Sequence, residues 1–297
     1  MVFLQQIVNG LALGGTYSLI AIGWTTVFGV VGVINWTHGE VYMISAYIGY
    51  FLVTLAHLGL IPALMVSALV GGTLAMLIDR ICYKPLRRTD APKLAFFITA
   101  LGASTFLRFS ATALWRPDAR SYPKVMEFKL VKLLEINKQV VTINSLQLYI
   151  IGLTLIIMVL LQLFLTKSRM GRAMLAASQD LQTLSLMGVE SERLISLTFL
   201  ISGMLGGVAG VFMGVLYAIN PMMGALAGLK GWAVAIMGGV GSITGSMIGG
   251  VFLGIVENLV SGFVSTGYRD AIAFTIMILV LLVKPTGLLG FKFEEKV

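Results

Sequence analysis

Apolar residues run along the chain in long blocks, separated by short polar or basic stretches. The blocks fall at 4–28, 40–56, 60–79, 94–115, 146–166, 194–217, a Gly-rich 231–264 and 268–283. An α-helix needs about 20 such residues to cross roughly 30 Å of hydrocarbon. The pattern therefore predicts an all-α integral membrane protein of about eight spans, or nine if 231–264 is a hairpin of two short helices. A β-barrel would alternate apolar and polar positions over about ten residues, whereas 150–161 is almost continuously apolar. The first block has no basic n-region and outruns a signal-peptide core, so it is expected to remain a span. No linker divides the chain, which reads as one membrane domain, 1–297, with two notable loops at 116–145 and 167–193.

Composition supports the bilayer. Hydrophobic residues make up 58% and charged residues 11%, against about 25% charged in a soluble domain. The net charge of +8 does not point to nucleic acid, because the basic residues gather between spans, as membrane topology requires. Arg80, Lys84, Arg87, Arg88 and Lys93 form one group. Lys167, Arg169, Arg172 and Arg193 form a second, and Lys284, Lys292 and Lys296 a third. Two spans separate the first two groups, so both face one side, read as cytoplasmic. Loop 116–145 is then external, although it too carries six basic residues against twelve on the other side. Within it, Val140–Ile143 is expected to form a short strand. With one cysteine, Cys82, and two histidines, His38 and His57, the chain offers neither a disulfide framework nor a metal site by any recognised spacing.

One stretch breaks the pattern. Up to residue 79 the chain has no Lys or Arg, and up to residue 78 only one acid, Glu40. Yet Asn35, Thr37, His38 and Glu40 crowd into VINWTHGE, residues 33–40. A second irregularity, MGGVGSITG at 237–245, holds Gly239, Gly241 and Ser242. It lacks the Lys-Ser/Thr end of a P-loop and the spacing of a dinucleotide fingerprint, so no ATP site is expected in this chain. Paired interruptions of apolar segments mark the central site of many transporters. Freed backbone is tolerated at membrane depth only inside protein or beside water. Asn35, Thr37, His38, Glu40, Gly239, Gly241, Ser242 and Glu257 are therefore the candidates for a translocation path. Arg108 is read as snorkelling to the external interface, Lys230 as an interfacial anchor beside Trp232, and Arg269–Asp270 as a local pair at a span entrance.

Loop 167–193 has helical periodicity: Met174, Ala177, Leu181, Leu184 and Gly188 fall on one face. A single helix over 172–187 is predicted, preceded by Gly171 and closed by Gly188 in a left-handed conformation. Its apolar face suits either the membrane surface or a partner's groove. Elsewhere glycines recur every fourth residue, as at 206, 210, 214 and at 241, 245, 249; such faces let helix backbones approach closely in lipid.

Three stretches together resemble a known family. GVINWTHGEVYMISAYIG, GRAMLAASQDLQTLSLMGV, and KGWAVAIMGGVGSITGSMIGGVFLGIVEN followed by YRDAIAFTIMILVLLVKPTGLLG are similar to the permeases of branched-chain amino-acid ABC importers. The resemblance runs from Gln5 to Gly290 and is weakest over 116–145. It implies a multi-pass protein of the bacterial inner membrane, working with a homologous second permease subunit, two cytoplasmic ATPase subunits that bind the ATP, and an external solute-binding protein. It also implies that the 172–187 helix is a coupling helix docked in the ATPase, with Arg172, Asp180 and Gly188 matching the family pattern. Where the family commonly has alanine, four residues before that glycine, this chain has Leu184. The same family serves urea, short amides and other organic solutes, so the substrate is not fixed by the residues. An ion-coupled carrier and a membrane enzyme are the rival classes; a carrier would have no use for the amphipathic loop, and an enzyme would need a convergent polar site.

Overall fold

The computed structural model describes residues 2–123, 130–136, 139–284 and 286–289. Lys292 and Lys296 of the third basic group, and Lys124, Lys129 and Lys138 of loop 116–145, lie outside the described residues.

Helix α1 (Val2–Val31) is the axle of the fold. At 1.5 Å per residue its 30 residues reach roughly 45 Å, and the stretch from residue 12 to residue 27 is continuously buried. It is followed by α2 (His38–Thr54), α3 (Leu60–Ile78) and α4 (Lys84–Arg88), the last two joined by one π-helical turn, Asp79–Tyr83. Then come α5 (Lys93–Trp115), an antiparallel hairpin of β1 (Leu130–Ile136) and β2 (Gln139–Asn144), and α6 (Ser145–Lys167). Two short helices, α7 (Arg169–Ala177) and α8 (Leu181–Leu186), lead into α9 (Ser191–Leu216). The chain closes with α10 (Met223–Gly238), α11 (Ile243–Phe263) and α12 (Arg269–Val283).

Among the described residues, seven helices are long and apolar enough to cross a bilayer, and α10 is a shorter apolar helix. Region 231–264 is thus a hairpin, as the nine-span alternative required. Its first arm begins eight residues earlier than the hydropathy block, because polar Asn220 and the Pro221 turn, not a loss of apolarity, set its start. The strand expected at 140–143 is β2, paired with β1 from Leu130↔Asn144 to Ile136↔Gln139.

Close backbone packing holds the bundle. A Cβ on Gly14 would lie 2.7 Å from Val251 Cα, and one on Gly10 2.6 Å from Ile255 Cα, so α1 and α11 meet face to face. Helix α9 is a wedge with two small-residue faces. Gly203 and Gly207 admit α3, while Gly206 and Gly210 admit His38 and the Tyr42 carbonyl of α2. In lipid, where no hydrophobic drive separates helix from tail, this van der Waals contact is the main source of cohesion.

The loops sort to two ends. At one, Gln5 exchanges two hydrogen bonds with the Thr142 backbone (2.8 and 3.0 Å), Tyr122 donates to the Ala46 carbonyl (2.6 Å), and Arg120 pairs with Ile219. At the other, Tyr83 reaches Asn35, Arg87 reaches Glu192, and the Leu288 N–H donates to the Met237 carbonyl. This second end carries every described member of the three basic groups, the side that the positive-inside rule expects to be cytoplasmic.

Candidate functional site

The VINWTHGE segment is the turn from α1 to α2. Gly32, at φ +70°, ends α1. The Asn35 side chain then accepts from the Thr37 N–H (3.2 Å), the Thr37 hydroxyl (2.5 Å) and the Tyr83 hydroxyl (2.9 Å). Such an Asx turn substitutes side-chain for backbone hydrogen bonding where the chain reverses. His38 is held in a slot between Gly23 and Gly206; a Cβ on Gly23 would stand 2.6 Å from its Nε2. Its Nδ1 lies 3.2 Å from Ser202 Oγ, whose hydroxyl donates to the Gly23 carbonyl at 2.9 Å. Around the turn, Trp24 packs on Trp36 (5.9 Å) and Trp232 (5.2 Å).

In this conformation Asn35, Thr37, His38 and Glu40 are all at most 2% exposed; the segment runs from Asn35, beside Tyr83 at the basic end, to Gly39, packed on Gly224 and Gly228 of α10. Asn35 and Thr37 satisfy each other, whereas His38 Nε2 and Glu40 Oε2 are buried without a hydrogen-bond partner among the described residues.

Glu40 is the exception in reach, because α2 carries it away from the turn. Its Oε1 accepts from Arg108 Nη2 (2.5 Å) and Nε (3.0 Å) and from the Ser104 hydroxyl (3.0 Å). Arg108 is therefore the counter-ion of a buried acid, not a snorkelling residue. The reason is its azimuth: Phe96, Ala100, Ser104 and Ala111 are the buried positions of α5, and Arg108 continues that stripe inward.

A second charged cluster forms around Glu257. Lys230 Nζ lies 2.8 Å from Glu257 Oε1 and 2.6 Å from Asp270 Oδ1, and donates to Tyr17 Oη at 3.1 Å. Arg269 Nε meets Glu257 Oε2 at 2.6 Å, and the Tyr17 hydroxyl donates to the same oxygen at 2.9 Å. Lys230 is 4% exposed, so it is a buried partner and not an interfacial anchor. Arg269 and Asp270 do not serve each other; each reaches across to α10 or α11. A charge in mid-bilayer is tolerated when paired inside the bundle, and this network unites α1, α10, α11 and α12 toward the end opposite the basic loops.

The second break, Gly239–Ser242, also lies at the basic end. Gly239 and Gly241 have φ of +108° and +85°, and the Ser242 hydroxyl caps α11 by accepting from the Gly245 N–H at 3.1 Å. Gly245 is packed so closely that a Cβ would overlap the Gly238 carbonyl, but Gly241 has open space around it. Its constraint is conformational, not steric crowding.

Loop 168–190 departs most from expectation. The predicted helix over 172–187 is two helices, interrupted at 178–180. Asp180 starts the second one: its carboxylate accepts from the Thr183 N–H (3.0 Å) and hydroxyl (2.5 Å). Met174, Ala177 and Leu184 are buried, with Met174 and Leu175 beside Thr25, Thr26 and Leu165. The apolar stripe is thus used on the bundle's own α1, α6 and α9. Gly171 lies inside α7, where a Cβ would press on the Leu165 backbone, and Gly188 takes the expected left-handed conformation at φ +85°. What faces outward is Arg172, together with Leu186 (87% exposed) and Met187 (78%). Nearby, Asp79 is fully buried and held by Arg87 (2.6 Å), which also reaches Glu192 (3.3 Å). This anchor of α4 to α9 was not anticipated from sequence.

A bundle of apolar helices packed through glycine faces, with ion pairs sealed inside it, is a polytopic membrane protein. Its fold matches that of a chain of PsaBC from Streptococcus pneumoniae in complex with Fab, with a TM-score of 0.52 over 96% of this chain and 92% of that one, at 14% identity. Residues 6–281 match the family described as the permease component of branched-chain amino acid transport systems, and the chain belongs to that family. It is 41% identical to the high-affinity branched-chain amino acid transport system permease protein BraD of Pseudomonas aeruginosa, covering 99% of this chain and 98% of that protein. It is 40% identical to LivH of Escherichia coli K12, with the same coverage. A probable branched-chain amino acid permease of Methanocaldococcus jannaschii is 25% identical over 93% of this chain and 89% of that protein.

Proposed function

We propose that this chain moves branched-chain amino acids across the bacterial inner membrane as one of two homologous permease subunits of an ATP-driven importer. Two cytoplasmic ATPase subunits supply the energy, and an external solute-binding protein delivers the substrate. The observation that carries the substrate class is the 41% identity to BraD, sustained over nearly the full length of both chains. The chain has no phosphate-binding loop motif, so in this reading the energy of ATP arrives through protein contact at the basic end. There, Leu186, Met187 and Arg172 are the outward-facing groups of the coupling loop. Met174, Ala177, Leu181 and Leu184 hold α7 and α8 rigid from behind, and Asp180 sets the angle between them.

The test is uptake of labelled leucine, isoleucine and valine into proteoliposomes bearing the assembled complex, with its binding protein outside and ATP inside. ATP-dependent accumulation of all three is the expected result. Accumulation of urea or short amides in their place would overturn the substrate class. Accumulation driven by an ion gradient without ATP would overturn the mechanism.

A further inference from the structure

Near the external end lies a cavity of about 360 Å³, lined by parts of α1, α2, α9, α10 and the start of α12. That volume is within the range that takes small organic ligands. The structure assigns to it, we infer, a binding site for an α-amino-acid zwitterion inside the permease itself; the inference rests on the functional reading above.

The charge balance selects the ligand. Lys230, Arg269 and Asp270 line the cavity, and Glu257 completes their network. Two cations and two anions sum to zero, so a ligand with net charge would bring an uncompensated charge into a largely buried setting, which is unfavourable. A zwitterion brings none. The two charges are also open at the right places. Lys230 is saturated by Glu257, Asp270 and Tyr17. Arg269 gives Nε to Glu257 at 2.6 Å, and its side chain remains 22% exposed where it lines the cavity. A guanidinium so placed is a natural partner for a carboxylate. Asp270 is 48% exposed at its side chain and bound to Lys230 through Oδ1, leaving the carboxylate accessible to an ammonium group. Met213, Met223, Leu226 and Ala227 supply the apolar remainder of the wall, suited to an aliphatic side chain.

The test uses the complete transporter in lipid nanodiscs with the binding protein omitted, probed by equilibrium binding of radiolabelled leucine. Saturable binding is expected, with 4-methylpentanoate and 3-methylbutylamine, which lack one charge each, competing at least tenfold more weakly than unlabelled leucine. Asp270→Asn should weaken leucine binding about tenfold, the scale of one lost charge-assisted contact. Leu226→Trp, which fills the space from a position that is 44% exposed, should abolish it while leaving the complex assembled. Leucine binding unchanged in both variants, or absent from a wild-type complex that still accumulates leucine when the binding protein is restored, would overturn the site. A wild-type complex that accumulates no leucine at all would instead overturn the functional reading, and the site with it.

Discussion

Glu40 and Arg108 meet because two helices each turn one polar residue inward at the same height. The carboxylate is 1% exposed and the guanidinium 25%. Removing one partner of a buried pair leaves the other charged, desolvated and alone, at a cost of about 3–5 kcal/mol. Arg108→Ala should therefore melt well below wild type in detergent, and adding Glu40→Gln should recover much of the loss by removing the orphaned charge. Coincident melting curves for Arg108→Ala and wild type would show that the pair contributes nothing. This pairing was readable in principle: Ser104 and Arg108 are one turn apart on the stripe that begins at Phe96. Hydropathy reports depth along a span and is silent on azimuth, which is why Arg108 and Lys230 read as interfacial. The two acids were easier to recognise, since an isolated Glu in an apolar run has few explanations.

Elements show the same division between what a pattern states and what it omits. The three- and four-residue recurrence of Met174, Ala177, Leu181 and Leu184 does mark a helical face, but periodicity does not name the surface that covers it. The permease covers it with its own α1, α6 and α9. The break at 178–180 also left a trace, because Asp180 followed three residues later by Thr183 is an N-cap arrangement, and a capped start means a new helix. Two outcomes separate the faces. Met174→Asp should lower the amount of folded permease, since an unpaired charge enters its own core. Leu186→Asp combined with Met187→Asp should leave the permease folded and monodisperse, yet reduce co-purification of the ATPase several-fold and uptake with it. Undiminished ATPase retention in the outer variant would move the coupling contact elsewhere. Glycine faces divide in the same manner. Gly14→Leu must push α1 from the Val251 backbone and should prevent assembly. Gly241→Leu meets open space, so its effect should be the milder one, limited to strain at φ +85°; equal yields of the two variants in membranes would contradict this ranking.

At the scale of the molecule, the two breaks that sequence suggested as a pair come close together. The Gly29 side of the first approaches the second so closely that a Cβ there would stand 3.8 Å from Gly241 Cα. Both follow a helix that descends to the basic end and precede one that ascends from it, so they are parallel turns at one face of the bundle. From this the side of the chain's start follows. The beginning of α1 is tied through Gln5 to Thr142 and through Phe3 to Phe263 (6.4 Å), opposite to the arginine- and lysine-rich loops. With the basic end expected to be cytoplasmic, the start of α1 is expected to be external. The single native cysteine makes this testable without building a reporter, because Cys82 sits in the π-helical turn at the basic end and is partly exposed. A membrane-impermeant maleimide added to spheroplasts should leave Cys82 unmodified, and the same reagent should modify it in inverted vesicles. In a Cys82→Ser background, Val2→Cys, at a position 58% exposed, should show the reverse. Labelling of Cys82 from outside would invert the whole assignment: the Lys230–Glu257 cavity would then open to the cytoplasm, and the coupling loop would be on the wrong side of the membrane to meet an ATPase.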